Sequence, residues 1–217
     1  ADPLRIATWD PGLSRDGPGL LLRDITARDP QVLAAAQVIA HAAPDAILLT
    51  GLDWDLDNRA LTAFAGLLAE QGHAMPHHHA TQSNRGMATG VDLDGDGRAG
   101  QPRDAQGYGA FTGQAGLAVL SRLPIAGVAD HSATLWRDLP GHRMPESPHD
   151  EVTFWLPHLP DAPFAILGNL NVDPQDGDGD PATLAALAAV TQDSRPRGAW
   201  QPPQTGPNAG QRGDPAL

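Results

Sequence analysis

The run Asp-Ala-Ile-Leu-Leu-Thr-Gly-Leu-Asp-Trp-Asp spans residues 45–55 and is the clearest architectural signal in the chain. Its apolar part, residues 45–50, is typical of a strand buried in a sheet. Gly51 follows the strand, and the acidic residues Asp53 and Asp55 come directly after it. The pattern therefore predicts a core strand that ends in carboxylates.

Helices are predicted on both sides of this strand. One fits residues 30–43, because Asp29 can act as the N-cap, a proline suits the first helical position, and apolar side chains recur with helical spacing. A second fits residues 58–71 and ends at Gly72. This alternation of strand and helix favours an α/β fold.

Two other apolar runs also end in polar residues. Residues 4–9 lead directly to Asp10, and residues 164–167 lead to Asn169 and Asn171. Side chains two residues apart on an extended chain share a face, so the two amides are expected to project together. Polar groups at the carboxyl ends of core strands are a common active-site placement. The strand ends therefore predict one shared polar site.

The rest of the chain completes this pattern. Residues 116–121 predict a buried strand, followed by a turn and by a neighbouring strand at residues 125–128. A last helix is expected at residues 181–190. Residues 73–114 lack periodicity and are rich in Gly, Asp, Asn and His. A loop of this length in a compact domain is usually functional or stabilised by an ion.

Composition excludes several classes of mechanism. The chain has 217 residues, 41% of them hydrophobic, which suits one globular domain. All 14 basic residues are Arg, so the P-loop lysine, the lysine Schiff base and the Ser-Lys dyad are excluded. The absence of Cys excludes disulfides, thiol nucleophiles and Cys-based zinc sites.

The net charge of the chain and its first residues indicate the class of partner and the cellular location of the protein. A net charge of -12 disfavours nucleic acid and favours a small substrate, although an acidic surface also serves solubility alone. No apolar run approaches the roughly 20 residues of a membrane span. We expect a monomer. The start at Ala1, shortly before a core strand and without Met, predicts a secreted or periplasmic protein, although trimming would leave the same end.

An acidic motif lies within the long loop. Asp92, Asp94 and Asp96 have the Asp-x-Asp-x-Asp-Gly form that opens a calcium loop. The twelfth position is Arg103 instead of Glu, so the motif is not an EF-hand. A structural Ca²⁺ site and a solvated acidic turn both remain open.

Other polar residues of the loop allow two further interpretations. Residues 77–79 are three consecutive histidines, which suit either a zinc site or an ordinary polar loop. Arg85 and Arg103 could each bind a phosphate bidentately or be solvated charges.

Four motifs in this order, at residues 4–9, 45–49, 116–125 and 166–171, resemble the endonuclease/exonuclease/phosphatase superfamily, the DNase I-like metal-dependent phosphoesterases. The resemblance runs from Leu4 to about Val190. It implies a four-layered α/β sandwich of two packed mixed β-sheets flanked by helices. It also implies hydrolysis of a small phosphomono- or phosphodiester by direct attack of water, with Mg²⁺, Mn²⁺ or Ca²⁺ at the catalytic site.

The resemblance also implies roles for individual residues. Asp10 stands where the family has an Asn, and Asp53, or less favourably Asp55, stands near the metal-binding Glu. Asn169 takes the position of the Asp that orients the attacking water, and Asn171 that of the Asn that contacts the phosphate. Asp10 and Asp53 are thus the expected ligands of the catalytic metal, and Asp10, Asn169 and Asn171 the expected catalytic residues.

The chain departs from the family pattern in three ways. Acid and amide are exchanged between Asp10 and Asn169, and because Asn cannot accept a proton from water, either Asp10 serves as the base or the two residue types are interchanged in the sequence. The family also has a strand with a catalytic His between the motifs matched here by residues 116–125 and 166–171, and it ends with a strand followed by a Ser-Asp-His-like motif. This sequence shows neither pattern. We therefore expect a single domain over residues 1–217 that lacks internal and C-terminal segments. A catalytically impaired, calcium-stabilised binding protein and a nuclease are the alternatives.

Overall fold

The computed structural model describes residues 3–132, 148–168 and 181–192. The chain forms two compact units, Ala1–Ala133 and Thr134–Leu217. Helices and two β-sheets are both present, so the predicted mixed α/β class is confirmed.

The first unit is organised around a four-stranded sheet. Its strands, in chain order and together with a two-stranded ribbon, are β1 Ile6–Trp9, β2 Ala46–Leu52, β3 His77–His79, β4 Met87–Ala88, β5 Ala105–Gln106 and β6 Gly116–Ser121. The order in the main sheet is β1-β2-β6-β3, and β4 pairs with β5 in the second sheet. Strand β1 is parallel to β2, whereas β6 is antiparallel to both β2 and β3.

Three helices supply the other side of the core. They are α1 Leu20–Thr26, α2 Pro30–Ala42 and α3 Arg59–Glu70. The predicted cap of α2 is present, since the Asp29 side chain accepts hydrogen bonds from the first-turn amides of Gln31 and Val32. Alternate residues of the sheet strands pack into the same cluster as the helices; these buried residues include Ile47, Leu49, Ala118, Leu120, Leu21, Ile25, Val32, Ile39, Phe64 and Leu68.

The long loop contains more regular structure than its sequence indicates. Residues 73–114 include β3, β4 and β5. Strand β3 is the histidine run, and it pairs with β6 from His77 opposite Ser121 to His79 opposite Val119. Because β2 and β3 occupy both edges of β6, no edge is left for a strand at residues 125–128. The prediction of a strand there is wrong, and Val128 is 54% exposed.

The described part of the second unit contains helices and no strand. It contains α4 Pro148–Trp155, a 3-10 turn at Leu156–His158 and α5 Pro181–Ala188, which confirms the predicted last helix. The predicted strand at residues 164–167 is wrong. The segment has no regular structure and no neighbouring strand among the described residues, and Phe164 and Ile166 are each 38% exposed. An apolar run without a partner strand cannot form a ladder.

Within the described residues, no helix is both long enough and apolar enough to span a membrane.

Gly51 is the position where the fold most clearly requires glycine. Its φ is +68°, β2 shifts register between Thr50 and Leu52, and a Cβ at Gly51 would lie 2.5 Å from Asp10 Oδ1. A side chain there would meet both backbone strain and a close carboxylate.

We predict that Gly51→Ala lowers the free energy of unfolding by about 1–2 kcal/mol, because alanine is strained at this φ. Gly66→Ala is the matched control. Gly66 lies inside α3, and nothing lies within 4 Å of its Cβ position, so alanine should stabilise the helix by about 0.5–1 kcal/mol. Urea unfolding of both variants measures the difference, and equal effects would contradict the account of Gly51.

Candidate active site

Two predicted site residues lie at the same edge of the main sheet. Asp10 directly follows β1, and Asp53 directly follows β2. Because β1 and β2 are parallel, their carboxyl ends meet at one edge. The topology thus brings these two carboxylates to the side where enzymes with parallel strands commonly bind their ligands.

The Asp53 carboxylate is buried, and each of its oxygens accepts a hydrogen bond from the backbone. Asp53 is 4% exposed. Its Oδ2 accepts a hydrogen bond from Arg15 N at 2.8 Å, and its Oδ1 accepts one from Ala115 N at 2.9 Å. These donors lie 38 residues before and 62 residues after Asp53 in the chain. Asp53 therefore joins the loop that follows β1 and the loop that precedes β6 to the end of β2.

The Asp10 carboxylate has a different environment. The residue is exposed, its Oδ1 accepts a hydrogen bond from Gly12 N at 2.9 Å, and the carboxylate lies against the backbone of Gly51. Within the described residues, its Oδ2 accepts no hydrogen bond. A carboxylate that is oriented through one oxygen can bind a hard cation or a proton through the other. In Asp53, by contrast, both oxygens accept hydrogen bonds that hold loops in place.

Asp55, the less favoured ligand from the sequence, also has a structural contact. Both of its carboxylate oxygens lie 3.1 Å from Ala60 N, at the start of α3. A carboxylate at this end of a helix is favoured by the unpaired N–H groups and the helix dipole. The structure therefore gives Asp55 a capping contact beside the candidate site.

The sequence interpretation missed Gln114, which joins two loops at this edge. Its Nε2 donates to Arg15 O at 3.0 Å, and its Oε1 accepts from Ala110 N at 2.6 Å. No sequence signal marks Gln114, because its partners lie on loops of no recognisable motif.

The Arg15 side chain forms an ion pair with Asp24, with 2.7 Å between Nε and Oδ2. Hydrogen bonds from Arg15, and to a smaller extent from Arg23, lower the pKa of Asp24 below its ordinary value.

The acidic motif forms a compact turn in the long loop. Each of Asp92, Asp94 and Asp96 offers a ligand atom, and these atoms lie within 4.8 Å of one another. The Asp92 carboxylate accepts hydrogen bonds from Gly95 N and Gly97 N, both at 2.8 Å. In the described parts of the chain, this is the one group of three or more ligating side chains close enough to share an ion. The three histidines of β3 form no such group there, so the zinc interpretation gains no support.

A buried residue that sequence reasoning missed, Asp104, supports this turn. Asp104 is 1% exposed, and it accepts hydrogen bonds from Leu93 N at 2.9 Å and Gln101 N at 2.8 Å. Backbone hydrogen bonds, the largest contribution from Gln101 and the next from Leu93, hold the pKa of Asp104 below its ordinary value. The carboxylate thus stays ionised and holds the two sides of the acidic turn together.

Asn169 and Asn171 lie outside the described residues, so their expected approach to Asp10 stays a prediction.

Comparison with known proteins identifies the family. The model of the endonuclease/exonuclease/phosphatase family matches residues 17–215. The chain belongs to this family. The resemblance inferred from the four motifs is thereby confirmed.

Structural comparison gives a weaker likeness. The crystal structure of an endonuclease/exonuclease/phosphatase from Beutenbergia cavernae DSM 12333 is 22% identical, with a TM-score of 0.34, and the alignment covers 58% of this chain and 27% of that one. The present family member thus spans about 27% of the length of that protein. A search of curated proteins gives no match.

Proposed function

We propose that the chain is a metal-dependent hydrolase of phosphomono- or phosphodiesters that acts by direct attack of water. Membership of the endonuclease/exonuclease/phosphatase family supports phosphoester hydrolysis in general. The observation that carries the proposal is the exposed Asp10 carboxylate, which lies beside the end of β2 and is oriented by Gly12 N, with no hydrogen bond to Oδ2 from any described residue. Such a site requires an acidic group that can bind a cation.

The residues present suit Mg²⁺ or a similar ion. Hard cations prefer carboxylate oxygens and keep several waters, so one or two protein carboxylates are sufficient. Asp10 would hold the ion through Oδ2, and any contribution from Asp53 would use lone pairs that its two backbone donors leave available. When bound, the ion would stabilise the charge that develops on the phosphoryl oxygens.

The remaining roles follow the family pattern. Asn169 would orient the attacking water, and Asn171 would contact the phosphate. If residue 169 is Asn and not Asp, it cannot accept the proton from water, and Asp10 would take that role. These assignments stay predictions.

The proposed substrate is a small phosphoester. The net charge of -12 and the absence of Lys weaken attraction to a long polyanion, so a nuclease is the less favoured alternative. The monomeric state and the secreted or periplasmic location also stay predictions.

We predict that Asp10→Ala lowers hydrolysis of a chromogenic phosphomonoester or diester roughly a hundredfold or more, because it removes a metal ligand. Folding should be nearly unchanged, since the variant loses one exposed hydrogen bond worth about 0.5–1.5 kcal/mol. Initial rates with Mg²⁺, Mn²⁺ or Ca²⁺ and with chelator measure the effect.

Asp16→Ala is the control for this test, since Asp16 is an exposed acid of the same loop. Equal rates for the two variants would contradict the role of Asp10. If the unaltered chain binds the metal ion but turns over neither ester with any of the three ions, the binding-protein alternative replaces the hydrolase.

The acidic turn suggests a second, structural ion. The convergence of Asp92, Asp94 and Asp96 over the buried Asp104 supports a Ca²⁺ that stabilises the long loop. This site would be separate in role from the catalytic one, because its ligands come from a single turn.

We predict that millimolar Ca²⁺ raises the melting temperature relative to chelator, since an ion that binds only the folded chain stabilises it by mass action. Asp94→Asn should reduce the rise by removing a ligand charge. Asp57→Asn, an exposed acid outside the turn, should leave it intact. An identical melting temperature with calcium and with chelator would identify the motif as a plain acidic turn.

A further inference from the structure

Arg85 lies in the loop network at the same edge of the sheet as Asp53. Arg85 O accepts a hydrogen bond from Gly113 N at 3.0 Å, and Gly113 O accepts one from Trp54 N at 2.8 Å. Trp54 is the residue after Asp53. Two hydrogen bonds through one glycine thus attach the backbone of Arg85 to the end of β2.

The Arg85 side chain is held in a defined direction. Its Nε donates to Tyr108 O at 2.8 Å. Its stem passes over Gly107, where the Cβ position lies 3.6 Å from Arg85 Cγ and 3.7 Å from Arg85 Cβ. A planar guanidinium held through Nε has fixed directions for its two terminal nitrogens. Within the described residues, those two nitrogens have no hydrogen-bond acceptor.

Charge compensation distinguishes Arg85 from half of the other arginines of the described chain. Four of these eight, Arg15, Arg23, Arg28 and Arg122, form ion pairs with carboxylates. Arg85 is anchored instead by a neutral carbonyl, and no carboxylate of the described residues forms an ion pair with it. An oriented guanidinium in a chain of net charge -12 is a suitable partner for an anion.

We propose that Arg85 binds phosphate oxygens of the substrate through its two terminal nitrogens. This inference rests on the proposed phosphoesterase function, and it makes Arg85 a substrate-binding residue. The contact would offset the repulsion between a phosphate and the carboxylates at this edge. It would also fix the orientation of the phosphate, because a guanidinium and a phosphate form two parallel hydrogen bonds.

Arg103 provides the matched control. It is also an exposed arginine of the long loop, and its side chain has no hydrogen bond to a described residue. Replacing Arg85 or Arg103 with Gln removes the same charge from the same loop, but only Arg85 has the anchored geometry. A purely long-range effect of charge would therefore appear in both variants.

The test is calorimetric titration of the full chain with inorganic phosphate, together with steady-state hydrolysis of a chromogenic phosphomonoester. We expect R85Q to weaken phosphate binding about tenfold or more, because a charge-assisted bidentate contact is lost. R103Q should change the affinity less than about twofold, since a screened surface charge has a small effect. R85K should recover part of the affinity, because lysine keeps the charge and loses the two-point contact. In hydrolysis, R85Q should raise KM more than it lowers kcat.

The outcomes separate this inference from the proposed function. Equal phosphate affinities for R85Q and R103Q, or a fall in kcat at unchanged affinity, would overturn the role of Arg85. A chain that binds phosphate through Arg85 and hydrolyses no ester would contradict the hydrolase and support the binding role alone.

Discussion

The buried carboxylate of Asp53 is the central constraint of this edge of the molecule. Its two oxygens accept the backbone N–H groups of Arg15 and Ala115, which lie on loops distant in sequence. A typical intramolecular hydrogen bond contributes about 0.5–1.5 kcal/mol, and one between a charged group and a neutral partner contributes more. One side chain therefore contributes to holding both loops at the end of β2, together with the backbone hydrogen bonds of Asp53 and Trp54.

In the proposed site, structural and chemical tasks fall to two different acids. Asp53 holds the loops, whereas the exposed Asp10 at the same edge has no hydrogen bond to Oδ2 from a described residue. The loop before β6 carries the constraint further, because Gly113 connects Trp54 to Arg85. Asp10 and Arg85 thus lie on segments that the buried Asp53 carboxylate and its neighbours help to hold in place. Such support is what a site needs to keep its geometry.

The sequence predicts the elements whose signals are local. Strand β2 and helix α2 have an apolar pattern and a polar cap, and both form close to the expected residues. Helix α1 was missed because it is short and follows Gly19, which provides no side-chain cap; it is stabilised by burial of Leu21 and Ile25. Strand β3 was missed because three histidines give no apolar alternation, and only pairing with β6 makes them a strand.

The same distinction applies to the site. Acids at strand ends could be recognised, since strand direction places them at one edge. The contacts of Gln114 with Arg15 O and Ala110 N could not, because they join loops far apart in the chain. Likewise, the apolar run at residues 164–167 gave no indication that it lacks a neighbouring strand in the described structure.

Amide hydrogen exchange at Arg15 and Ala115 in Asp53→Asn protein tests the central role of Asp53 most directly. Each carboxylate oxygen of Asp53 accepts one of these N–H groups, so in Asn at the same orientation the amide NH2, which only donates, would face one of the two donors. We predict that at least one of the two amides loses protection by tenfold or more, while both stay protected in an Asp10→Asn control. Unchanged protection of both amides in Asp53→Asn protein would contradict the account.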